Sequence, residues 1–199
     1  MQGIDLSPRT LLRAYASGAF PMTDADGVSR WYTADPRGVL PLEAFHCPKN
    51  LAQLVRQQKF EVRINSAFAG VMRGCRDAYR PESTGGGWIG DELIAAYTKL
   101  HEMGFAHSVE AWQNGELVGG LYGVALGGAF FGESMFHRAT NASKVCLVHL
   151  VQRLRERDFA LLDTQMVTSH MKQFGCVYVP ATEYEKRLAA ALALSRAFV

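Results

Sequence analysis

At 199 residues with 48% hydrophobic and 20% charged content, the chain has the makings of a globular protein with one core, or one plus a small lobe. Its four cysteines (Cys47, Cys75, Cys146, Cys176) are scattered, without a CxxC pair or a histidine cluster at ligand spacing, so neither a disulfide framework nor a zinc centre is expected. The net charge of +2 conceals an asymmetry, with seven basic and two acidic residues between Lys49 and Arg80, a hint of an anionic partner there.

No secretory pattern opens the chain and no apolar run approaches the ~18 residues of a membrane span, which predicts a cytoplasmic protein without membrane contact. Ser7 stands where it can cap a first helix, with Pro8 in the first helical position and Gly18 at the end. An irregular Pro-, Gly- and Asp-rich passage follows over residues 20–41; loops of that length are often functional. A boundary near Phe45 divides an expected small N-terminal lobe, residues 1–45, from a larger domain, residues 46–199.

Residues 66–80 read as a helix. Phe68, Val71, Met72, Cys75 and Tyr79 share one side, while Arg73, Arg76 and Arg80 fall on another and could meet an anionic partner. The Gly-rich stretch STGGGWIG leads into a helix from Asp91 to Met103. AHSVEAW and residues 116–136 then read as three strands, the last two joined by a Gly-Gly turn.

Asn141 or Ser143 can cap a helix running to Arg157. LLDTQM is a short buried strand, residues 168–174 a short helix stopped by Gly175, and VYVP a final strand. Thr182 and Glu185 have the spacing of a capping box for the last helix. A hairpin followed by alternating helices and strands predicts an α/β (α+β) fold with a mixed sheet.

Two constellations carry chemistry. Asp163 and Gln165 are two apart in a deep strand, so they are expected on one face, a costly placement unless their polar groups are used or satisfied. In GESMF, strict alternation places Phe131, Glu133 and Met135 on one face, with Glu133 beside a glycine that allows close backbone approach. Glu133 and Asp163 together would form an acidic mouth for a cationic substrate. Trp31 and Trp88 lie in passages poor in core formers and could stack on nucleotide bases. Neither a Walker loop nor GxGxxG is present.

The residues FPM…WYTADPRGVLP, WI…Y…LHEMGFAHSVEAW, LVGGLYGVALGGAFFGESMF, NASK and LLDTQ with His170 downstream together make the sequence resemble the leucyl/phenylalanyl-tRNA–protein transferases. The resemblance spans about Leu11 to Tyr184. It implies a GNAT-like N-acetyltransferase fold preceded by a small N-terminal α/β lobe. It implies transfer of Leu, Phe or Met from aminoacyl-tRNA to proteins beginning with Arg or Lys, marking them for degradation, by a monomer without cofactor or metal.

By the same resemblance Asp163, Gln165 and Glu133 are catalytic. Trp88 and Tyr97 match aromatics at the tRNA 3′-terminal adenosine and aminoacyl site, Leu121, Phe130, Met135, Leu150 and Leu154 match positions lining the amino-acid pocket, and Trp31 and Tyr32, where the family usually has two tryptophans, are further candidates for binding substrate. On this basis Asp163 is expected to accept a hydrogen bond from the acceptor amine and to orient Gln165. Two rival classes remain: an acyl-CoA N-acetyltransferase, disfavoured because HRATNASK lacks the glycines of a pyrophosphate loop, and a non-enzymatic RNA-binding module.

Overall fold

The computed structural model describes residues 3–78 and 89–199. Trp88, Tyr79 and Arg80 therefore lie outside the described residues. Helix α1 (Pro8–Ala16) opens the chain and is followed by strands β1 (Phe20–Thr23), β2 (Ser29–Tyr32) and β3 (Arg37–Val39). Next come α2 (Lys49–Arg56), β4 (Glu61–Ile64), α3 (Phe68–Asp77), α4 (Asp91–Glu102), β5 (Ala106–Gln113), β6 (Glu116–Leu126) and β7 (Ala129–His137). The chain closes with α5 (Ala142–Glu156), β8 (Leu161–Gln165), α6 (Ser169–Lys172), β9 (Val177–Val179) and α7 (Ala181–Leu192).

Seven strands form one mixed sheet in the order β4-β5-β6-β7-β8-β3-β9, and β1 and β2 pair as a separate hairpin. Every neighbouring pair in the large sheet is antiparallel except β7 and β8. The fold is thus α/β in three layers. On one face α1, α3, α4 and α7 bury Leu11, Val71, Leu93 and Leu188 together with Tyr122 and Phe131 of the sheet. On the other, α2, α5 and α6 bury Leu51, Val151 and Met171 with Leu121 and Phe130. Consecutive sheet residues such as Leu121 and Tyr122 go to opposite cores, as the period of a strand requires.

The hairpin β6–β7 and its Gly127-Gly128 turn match the expected strands, and α4, α5 and β8 fall where the periodicity puts them. Two expectations are corrected, on the passage 20–41 and on the start of α7. The passage 20–41 is not irregular: it holds β1, β2 and β3. Because β3 lies between β8 and β9 in the main sheet, the division at Phe45 does not coincide with a sheet boundary. Finally, α7 begins at Ala181 after Pro180, so Thr182 is already helical and forms no capping box. Its first backbone amide is instead received by Asp35 Oδ1, 3.1 Å away. Neither Ser7 nor Asn141 makes a side-chain cap bond, although each occupies the N-cap position.

Two close backbone approaches hold the sheet where it matters. A side-chain carbon on Gly38 of β3 would lie 2.5 Å from the backbone carbon of Met166, directly after β8. One on Gly123 would lie 2.3 Å from the Phe131 carbonyl. In both places only a glycine lets the strands come together. Gly38→Ala is expected to cost about 2–3 kcal/mol through forced strand separation; urea denaturation of the two proteins checks this.

Candidate active site

Strands β7 and β8 run parallel through three pairs, Ala129–Leu161, Phe130–Leu162 and Phe131–Asp163, and then part. Beyond that point β7 keeps its partner β6 but has none in β8. A cavity of about 730 Å³ occupies the gap, walled by Gly132–Met135 on one side and by residues from Thr164 to Met171 on the other. Crevices at the carboxyl ends of parallel strands are where open α/β sheets bind ligands. The floor is apolar, from Leu121, Met135, Leu147, Leu150 and Leu162, and Phe20 and Met22 of β1 close one edge.

Glu133 enters this cavity through a β-bulge. Tyr122 pairs with Ser134 and Gly123 with Gly132, so Glu133 is the extra residue that opposes nothing. The bulge also reverses the alternation after it. Phe131 and Phe136 lie in one core while Met135 packs against the other, which corrects the expected single face for Phe131, Glu133 and Met135. The Glu133 carboxylate receives Tyr15 Oη at 2.7 Å and Tyr97 Oη at 3.4 Å, and the two tyrosine hydroxyls bond to each other. Burial lifts the Glu133 carboxyl to about pH 8, helped by the charge of Asp163 and opposed by Tyr15, Arg37 and Tyr97. Burial, then the charge of Glu133, pushes both tyrosines up as well.

On the other wall, Arg37 of β3 and Asp163 of β8 form a buried two-point ion pair. Arg37 Nε donates to Oδ1 at 2.9 Å and Nη2 to Oδ2 at 2.7 Å. Nη1 donates to the Gly18 carbonyl at 2.8 Å, and the guanidinium lies between the rings of Phe20 and Tyr184. Tyr184 Oη adds a 2.5 Å bond to Oδ2, and the Gln165 backbone N–H one of 2.8 Å to Oδ1. Burial opposes the Arg37 charge, but Asp163 outweighs it and raises the guanidinium pKa. Tyr184 is likewise raised, by burial and then by the Asp163 charge.

Asp163 therefore accepts four hydrogen bonds from the protein, is fully buried, and does not line the cavity. This corrects the expectation that it takes a hydrogen bond from a substrate amine: both its oxygens are engaged. Its bond to the Gln165 amide accompanies a left-handed backbone at Gln165, φ 55°. A strand cannot continue through that conformation, so Gln165 leaves the face it was expected to share with Asp163. Its side chain lines the cavity, is 7% exposed, and its Nε2 has no partner among the described residues. A buried amide donor without an acceptor is a costly feature that a ligand would relieve.

Of the expected pocket residues, Leu121, Met135 and Leu150 line the cavity, whereas Phe130 and Leu154 lie behind it in the core. Tyr97 reaches the site through its hydroxyl. Trp31 and Tyr32 sit on β2, where Tyr32 donates to Asp24, and neither lines the cavity; the facing strand β1 supplies Phe20 and Met22 instead. On α3, Arg73 is exposed, while Arg76 pairs with Asp77 at 3.0 Å and Asp91 at 2.8 Å. Tyr15, Arg37 and Tyr184 are site residues that the sequence reading did not single out. Arg37 stands inside the quoted WYTADPRGVLP motif, a signal that was available; Tyr15 and Tyr184 look like ordinary helix-face aromatics.

Two outcomes test this electrostatic frame. Removing the guanidinium in Arg37→Met strands a buried carboxylate and is expected to cost about 3–5 kcal/mol, measured by chemical denaturation. The raised Glu133 carboxyl binds its proton more tightly in the folded than in the unfolded chain. Its contribution to stability is therefore lost as pH rises from the ordinary carboxyl value of 4.5 toward about 8. Glu133→Gln should gain stability relative to the parent across that window and level off above it, as denaturation at pH 5, 7 and 9 would record.

Comparison with known proteins bears on this geometry. Residues 39–189 match the family model of the leucyl/phenylalanyl-tRNA protein transferase, and residues 4–35 match that of its N-terminal domain. Three curated relatives carry the name leucyl/phenylalanyl-tRNA–protein transferase. One from Salinibacter ruber is 54% identical over 96% of this chain and 82% of its own. One from Paramagnetospirillum magneticum is 56% identical over 94% and 90%. One from Gloeobacter violaceus is 51% identical over 96% of both. Among solved structures, L-PGS from Bacillus licheniformis is similar at a TM-score of 0.45 and 10% identity, covering 92% of this chain and 62% of that one.

Proposed function

The chain belongs to the leucyl/phenylalanyl-tRNA protein transferase family and is an aminoacyltransferase, and from that premise we propose that it moves Leu or Phe, with Met as a further donor, from aminoacyl-tRNA onto the α-amine of proteins beginning with Arg or Lys, marking them for degradation. The observation that carries this reading is the cavity between β7 and β8, with the half-buried carboxyl of Glu133 on one wall and, on the other, the Gln165 amide, whose Nε2 has no partner among the described residues. We read the parting of those two strands as GNAT-like, with the substrates entering at their carboxyl ends.

The apolar floor of Leu121, Met135, Leu147, Leu150 and Leu162 suits an aliphatic or aromatic side chain of the donor. Glu133 suits the basic acceptor: an arriving guanidinium or ammonium lowers the carboxyl pKa from about 8 and holds it ionised. An ester of tRNA is already activated, so the reading calls for no cofactor. The acceptor α-amine has an ordinary pKa of about 7.7–8.0, so a strong base is not needed to expose its lone pair. The Gln165 amide holds the reacting groups, its carbonyl toward the amine. Asp163 acts one step removed, fixing the Gln165 backbone through the 2.8 Å bond to its amide. Holding amine and ester together supplies much of the acceleration, about 7–11 kcal/mol at best. Arg73, Arg76 and Arg80, with Trp31, Tyr32, Trp88 and Tyr97, remain the proposed contacts to the tRNA.

The deciding assay offers labelled leucyl-tRNA or acetyl-CoA with peptides starting in Arg, Lys, Asp or Ala. Leucine is expected on the Arg and Lys peptides alone; acetyl transfer, or tRNA binding without transfer, would overturn the reading. Gln165→Ala is expected to lower turnover roughly a hundredfold with tRNA affinity nearly intact. If tRNA binding collapses instead, the role given to Gln165 is wrong.

A further inference from the structure

Gln165 is not the one buried polar group of the cavity wall without a partner. The Nε2 of His170, on α6, is also buried and has no hydrogen-bond partner among the described residues, and His170 lines the same cavity five residues beyond Gln165. Its ring is held edge-on to Phe174 at 5.6 Å. The helix carrying it is pinned at its start, where Thr168 Oγ1 accepts the Met171 amide at 3.2 Å, and it ends before Gly175 with φ 92°. A fixed imidazole with an unused nitrogen facing a cavity is a hydrogen-bonding group waiting for a ligand atom.

The surroundings say which ligand atom. Glu133 stands on the opposite wall and gives that side acidic character. Burial, and then the charges of Lys144 and His137, lowers the His170 pKa and favours the neutral ring. Hydroxyl side chains of Ser143, Thr164, Thr168 and Ser169 line the cavity as well. A second ammonium would be repelled at this end, whereas a hydroxyl of a polyanionic substrate would be welcomed. The cavity is thus polarised, acidic where the acceptor amine enters and neutral to cationic at α6.

We propose that His170 is a substrate-positioning residue whose Nε2 hydrogen-bonds the ribose hydroxyl adjacent to the aminoacyl ester of the tRNA donor. This rests on the aminoacyl-transfer reading above. The bond fixes the ribose so that its ester carbon faces the amine. The imidazole itself neither gains nor loses a proton in the step. The amine nitrogen bonds the ester carbon, the bond from that carbon to the ribose oxygen breaks, and the proton shed by nitrogen ends on the released hydroxyl.

The test is a cycle between protein and donor. Leucyl-tRNA ending in adenosine and leucyl-tRNA ending in 2′-deoxyadenosine are offered to the parent, His170→Ala and His170→Gln with an Arg-initiated peptide. The parent should lose on the order of tenfold in kcat/KM with the deoxy donor, the scale of one hydrogen bond. His170→Ala should lose the same with the normal donor and nothing more with the deoxy donor, while His170→Gln, which keeps an amide at that reach, recovers part. Losses that multiply, or a His170→Ala enzyme as active as the parent, overturn the proposal. Circular dichroism and melting separate a misfolded His170→Ala, in which case the deoxy penalty in His170→Gln, smaller than the parent's if the proposal holds and equal to it if not, decides. If the parent transfers no leucine from the normal donor, the underlying reading itself has failed.

Discussion

The Arg37–Asp163 ion pair is the constraint on which the remainder of the site hangs. Both side chains are removed from water, at 1% and 0% exposure, so each is tolerable only because the other is there. The pair joins β3 to β8, draws the Gly18 carbonyl after α1 into its network, and orders Tyr184 from α7. A segment distant in sequence thereby becomes part of the central sheet. The carboxylate has one bond to spare, and it goes to the backbone of Gln165. That bond and the left-handed turn at Gln165 direct an amide side chain into the cavity. Arginine suits the position because its planar fork meets both carboxylate oxygens and still reaches a third acceptor.

The second wall is built by different means. A bulge at Glu133 takes one residue out of register in β7 and delivers its carboxyl to Tyr15 and Tyr97. The same irregularity turns Met135 toward the apolar floor. Active-site carboxyls with strongly raised pKa values depend on such placement: buried enough to resist ionisation, but open to a cation that restores it. Two devices, an ion pair and a bulge, thus set a polar pair across an apolar pocket.

Much of this was legible before any coordinates. The alternation from residue 106 to 136, the Gly-Gly turn and the apolar stripe of α5 place the core strands and helices correctly, because long periodic elements leave their mark on sequence. The strands β1, β2 and β3 are three or four residues long and carry Pro21 and Gly38, so no period can develop in them. The pairing of Arg37 with Asp163 spans 126 residues, and local spacing cannot disclose it. Asp163 and Gln165 were recognisable as unusual, since polar residues in a deep strand need a reason. Their division of labour was not, because it turns on one positive φ angle at Gln165. Glu133 stands out for the same cause, but strict alternation holds only until a bulge interrupts it, and the preceding Gly132 is the one local sign of that bulge.

The most direct measurement is the turnover of leucine transfer to an Arg-initiated peptide by Arg37→Lys, at a temperature where it and the parent are both folded, with tRNA affinity measured alongside. Lysine keeps the charge but cannot engage both oxygens of Asp163 and the Gly18 carbonyl at once. Loosening Asp163 should misplace Gln165 and lower kcat at least about tenfold, with tRNA affinity unchanged. An unaltered kcat in a folded Arg37→Lys enzyme would contradict the claim that this ion pair positions the reacting groups.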